Sequence, residues 1–90
     1  VILSLIIFTN ILNALNFTVG SYNVENLFDL INNGTEYKRY IPNTKIWNKK
    51  ILNIKLTNIS KVINDMNVDI LALQEIETKE ALKLLLKKLP

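Results

Sequence analysis

The sequence predicts an α+β chain in which a βαβ unit is followed by one more helix, and three observations carry that expectation. An apolar stripe at helical spacing runs through Ile51–Met66. Short apolar runs with strand character flank it at Phe17–Tyr22 and Val68–Leu73, and Thr78 stands as a helix cap before a leucine-rich stretch. Ninety residues allow one core, at the size where burial only just offsets chain entropy. With 49% hydrophobic and 21% charged residues, the composition excludes a disordered polar tail.

Val1–Leu12 is almost wholly apolar, broken by Ser4, Thr9 and Asn10, and is short for a helical membrane span. It has the length of a secretory apolar core, and Leu12-Asn13-Ala14 puts a small residue where a signal peptidase cuts. Residues 1–14 are therefore expected to be a signal peptide or apolar N-terminal segment, and residues 15–90 the folded part. The product would be secreted or periplasmic, with no stable membrane span after cleavage. A basic flank is missing and the first residue is Val; uncleaved, the segment would tether the chain to a membrane, or it would pack as a buried edge element.

The run Phe17–Tyr22, with Val19 between small or polar neighbours, reads as a strand that ends at Asn23-Val24-Glu25-Asn26. An exposed, irregular loop is expected next, punctuated by Asn32-Asn33-Gly34 and Pro42-Asn43 and carrying Glu36, Tyr37, Lys38, Arg39 and Tyr40. Leu52, Leu56, Ile59, Ile63 and Met66 recur three or four positions apart, the stripe of an amphipathic helix. The continuous apolar run Val68–Leu73, entered at Asp69, is typical of a strand covered on both faces. In the last helix Thr78 caps, Glu80 lies in the first turn, Leu82, Leu85, Leu86 and Leu89 point inward, and Lys83, Lys87 and Lys88 favour the negative end of the dipole.

Absent residue types narrow the chemistry. Without cysteine there is neither a disulfide framework nor a thiolate metal site. Without histidine there is no imidazole base and no Ser-His or Cys-His pair. The net charge of +3 mildly favours polyanions. A βαβ crossover makes its two strands parallel and puts both C-terminal ends on one edge, so Asn23 and Glu75 can meet there despite their separation in sequence.

A carboxylate beside a carboxamide suits Mg²⁺, which keeps much of its hydration shell and is held by one or two carboxylates together with substrate phosphate. Glu75 can be that carboxylate, Asn23 can support the metal or donate to a phosphate oxygen, and Glu25 can help through water. The plainer readings are an exposed strand-end residue for Glu75 and a turn-former for Asn23. Asn26, Asp29 and Gln74 read as turn or network residues. Trp47 reads as a packing residue before the helix, and Lys49, Lys50 and Lys55 as solvated helix lysines, although all four could touch nucleic acid.

Two blocks, Ser21-Tyr22-Asn23-Val24-Glu25-Asn26-Leu27-Phe28-Asp29 and Asp69-Ile70-Leu71-Ala72-Leu73-Gln74-Glu75-Ile76-Glu77, resemble the opening motifs of the endonuclease/exonuclease/phosphatase superfamily. The resemblance runs from about Phe17 to Glu77 and implies the start of a four-layer α/β/β/α sandwich. It also implies a deoxyribonuclease-like phosphodiester hydrolase using Mg²⁺, or Mn²⁺ in its place. The motif asparagine falls on Asn23 and the metal-binding glutamate on Glu75, both at the catalytic site, while Glu25 matches an acidic residue that some members carry near the metal. Nucleic acid, DNA foremost, is the expected substrate; sphingomyelin and inositol phosphates are alternatives, and no protein partner is implied. The superfamily's later tyrosine, Asp-x-Asn and Ser-Asp-His elements have no counterpart in these 90 residues, which are expected to be an N-terminal fragment, inactive and poorly stable alone. The competing reading is a small secreted or membrane-tethered binding module without catalysis.

Overall fold

The computed structural model describes residues 16–90; the expected signal segment, 1–14, lies outside them. Four main elements follow in order: β1 (Val19–Leu27), α1 (Lys49–Met66), β2 (Ile70–Ile76) and α2 (Lys79–Leu86), with a short 3₁₀ turn at Lys38–Tyr40 between β1 and α1. The strands pair in parallel, from Val19 opposite Ile70 to Asn23 opposite Gln74. This is the βαβ unit and following helix that the sequence predicts.

Both helices begin where side-chain caps allow. Asn48 accepts the Ile51 amide at 3.2 Å to open α1, and Thr78 accepts the Ala81 amide at 3.1 Å to open α2, so each cap satisfies an amide that the first turn leaves free. α1 ends at Asn67, whose left-handed backbone (φ 47°) turns the chain toward β2. Of its predicted stripe, Leu52, Leu56 and Ile59 are buried and Ile63 packs on the core from its edge. They meet Val24, Leu27 and Phe28 from β1 and its exit, Tyr40 and Trp47 from the loop, and Ala81 and Leu85 from α2. No described helix is long and apolar enough to cross a membrane.

Four expectations need correction. In α2 Leu86, expected inside, is 54% exposed, because the buried face of this helix runs through Ala81 and Leu85 with Leu84 packed beside them. Both strands lie later in the chain than the apolar runs suggest, because pairing starts where the Thr18 carbonyl accepts the amides of Asp69 and Ile70 and continues to Leu27 opposite Ile76. β2 is covered on one face only among the described residues: Leu71 and Leu73 are half-buried, while Ile70 and Ala72 are exposed. The loop is largely exposed as expected, yet Tyr40 is buried, its ring stacked on Phe28 with centroids 4.4 Å apart and meeting Trp47 edge-on at 5.0 Å.

Candidate active site

The site is built around a bulge in β1. Between the pairs Asn23–Gln74 and Leu27–Ile76, β1 has three residues (Val24, Glu25, Asn26) where β2 has one, Glu75. Glu25, Asn26 and Glu75 all adopt left-handed backbone conformations, with φ of 58°, 61° and 64°. Such conformations cost on the order of 1–3 kcal/mol each and persist where the surroundings enforce them, commonly at functional sites.

The bulge brings Asn23 and Glu75 together. The Asn23 amide nitrogen donates to the Glu75 carboxylate, and the Asn23 side-chain oxygen accepts the Glu25 backbone amide at 2.9 Å. These two partners fix which way the amide faces: nitrogen toward Glu75, oxygen turned back into its own turn. Asn23, Glu25 and Glu75 are all exposed, so both carboxylates are open to an incoming ligand. A pocket of about 320 Å³, lined by Asn26, Phe28, Thr35, Tyr37 and Glu75, opens beside them.

Lys55, expected to be a solvated helix lysine, is half-buried and completes the arrangement. From the middle of α1 its ammonium donates to the backbone carbonyl of Glu25 and, at 3.1 Å, to that of Asn26. Burial lowers its proton affinity below the ordinary lysine value; the carboxylates of Glu25 and Glu75 act the other way, and Arg39 adds to the lowering. A signal was present in the row Ile51, Lys55, Ile59, whose spacing of four puts the lysine on the buried side of the helix.

The remaining candidates act in support. Asp29 is buried: its carboxylate accepts the Ile31 amide at 2.9 Å and the Thr78 hydroxyl at 2.7 Å. Its carbonyl accepts the Trp47 indole N–H at 3.1 Å, so Trp47 is a core residue and not a surface contact. Gln74 accepts the Ser21 hydroxyl at 3.2 Å across the sheet. The larger groove, about 570 Å³ between α1 and α2, is lined by Leu52, Leu56 and Leu84 with Lys49 and Lys83 beside them; it contains none of Asn23, Glu25 and Glu75.

The donor set fits a sparse cation site and not a closed cage. Among the described residues no group of three or more Asp, Glu, His or Cys side chains converges to hold a metal. One exposed carboxylate, Glu75, oriented by the Asn23 amide and with a second exposed acid, Glu25, two residues beyond that asparagine, is the kind of donor set Mg²⁺ accepts when water and phosphate supply the other ligands.

A family model described as the Endonuclease/Exonuclease/phosphatase family matches residues 18–90. The chain belongs to that family. No curated protein and no solved structure matches it. The match spans β1, α1, β2 and α2, so the bulge with Asn23, Glu25 and Glu75 lies within the endonuclease/exonuclease/phosphatase portion. Membership places the chain in a family of hydrolases.

Proposed function

We propose that these residues form the metal-binding edge of a Mg²⁺-dependent phosphodiester hydrolase acting on nucleic acid, DNA foremost. The observation that carries this reading is the Asn23–Glu75 hydrogen bond across the bulge, which joins the two family motifs at one exposed sheet edge. Glu75 would hold Mg²⁺, or Mn²⁺ in its place, with Glu25 contributing through water. The bound cation supplies neutralisation of phosphoryl charge.

Asn23 has a distinct part. Its nitrogen is committed to Glu75 and its oxygen already accepts the Glu25 amide, so its main work is to hold the Glu75 carboxylate in one orientation. None of the 90 residues is a histidine, so an imidazole base is not among the groups they supply, and the 90 residues alone are expected to give no turnover. The apolar segment 1–14 supports export to a secreted or periplasmic location, where extracellular nucleic acid would be the substrate.

The test uses protein expressed from its complete reading frame, assayed for plasmid cleavage with and without Mg²⁺. Metal-dependent cleavage should fall at least about 100-fold in Glu75→Ala, the upper range for disturbing a metal centre. Cleavage that persists in Glu75→Ala, or that ignores chelation of the metal, would refute the assignment.

A further inference from the structure

We infer that Lys55 is a positioning residue for the metal edge: it clamps the backbone carbonyls of Glu25 and Asn26, holds the bulge in its left-handed conformation, and so keeps Asn23 against Glu75. This rests on Glu75 being the metal ligand.

The bulge creates the need for the clamp. Glu25 and Asn26 have φ of 58° and 61°, and they stand in the stretch of β1 where three residues face one, so the regular ladder does not pair them. Asn26 is half-buried, so its carbonyl requires another donor, while that of exposed Glu25 is left open beside it. The Lys55 ammonium donates to both. Its own position is fixed from α1, with Nζ 5.6 Å from the Tyr40 ring centroid and 6.0 Å from that of Trp47, so two buried aromatics wall it in.

The contacts then run in sequence toward the metal ligand. Lys55 holds the Glu25 carbonyl, the same residue's amide donates to the Asn23 oxygen at 2.9 Å, and the Asn23 nitrogen donates to Glu75. Loss of the clamp frees the bulge and lets the Asn23–Glu75 pair separate. Arginine retains donors for both carbonyls; methionine retains only the apolar stem.

Protein from the complete reading frame is examined as wild type, Lys55→Met, Lys55→Arg and Glu75→Gln. Mg²⁺ affinity is read from thermal shift against metal concentration, independently of turnover, and the metal giving half-maximal cleavage is read beside it. Lys55→Met should raise the Mg²⁺ requirement roughly 10–100-fold in both measurements, the range for losing a group that orients a metal ligand. Lys55→Arg should recover most of it. A folded Lys55→Met with the wild-type Mg²⁺ requirement overturns the inference, while Glu75→Gln with that same requirement overturns the reading of Glu75. If Lys55→Met fails to fold, the wild type decides. In ¹⁵N-lysine spectra the Lys55 ammonium signal, identified by its loss in Lys55→Arg, should be protected from exchange and move on Mg²⁺ addition; a signal absent or unmoved by Mg²⁺ overturns the inference.

Discussion

Asp29 and Glu77 show how a residue's neighbours, more than its type, set its behaviour. Asp29 is 3% exposed and its carboxylate is satisfied by the Ile31 amide and the Thr78 hydroxyl. Glu77 is less well served: one oxygen accepts the Asp29 amide at 3.3 Å, and the other, Oε2, is buried without a hydrogen-bond partner among the described residues. Burial raises the Glu77 proton affinity above the ordinary carboxylate value of 4.5, the charges of Asp29 and Glu36 push the same way, and the Asp29 amide and Asn33 side chain oppose them. A carboxyl with a raised folded-state value stabilises the fold fully below pH 4.5, and that contribution is lost as pH rises through the raised value. Glu77→Gln, neutral throughout, should therefore gain stability relative to wild type between pH 4.5 and pH 7, measured by urea denaturation at each pH. An identical difference at both would show that Glu77 is not strained by its charge. At this scale the sequence was a fair guide to Asp29, read as a network residue, and a poor one to Lys55, because a lysine on an amphipathic helix looks solvated until the carbonyls that need it are placed opposite.

At the scale of elements, helices were more legible than strands. The stripe from Leu52 to Ile63 and the Thr78 cap each require only local spacing, and both are found. Strand limits depend on a partner about fifty residues away, so the apolar runs indicate strands but place their ends several residues early. The bulge was hidden for the same reason: Asn26 tolerates left-handed backbone but nothing in Glu25 announces it, and both are set by fitting three residues against one. The close of α1 is a simpler case. Asn67 sits at φ 47°, ψ 48°, a region asparagine tolerates and alanine does not. Asn67→Ala should cost about 1–2 kcal/mol and Asn67→Gly should cost nothing, as read by chemical denaturation. Equal losses in both would mean that the Asn67 side chain, and not its backbone, closes the helix.

At the scale of the whole molecule, the core among the described residues lies on one side of the sheet. Leu27 and Leu85 are fully buried between the strands and helices, whereas Val19 and Ile70, a register pair at the start of the sheet, are 59% and 53% exposed. A two-stranded sheet is marginal by itself and gains its stability from whatever packs on its faces. The arrangement is consistent with the start of a sandwich, in which a second sheet would pack on the face bearing Val19, Ile70 and Ala72. Two substitutions separate a solvated face from a covered one. Leu85→Ala should cost about 2–5 kcal/mol, because it empties a buried site on the helix side. Ile70→Thr keeps the β-branch and should stay within about 0.5 kcal/mol of wild type if the face is solvated in the 90 residues alone. Made in protein from the complete reading frame, the same Ile70→Thr becomes the informative variant. A loss there comparable to Leu85→Ala would show that a second layer lies on this face, and a neutral result would leave the fold with helices on one side only.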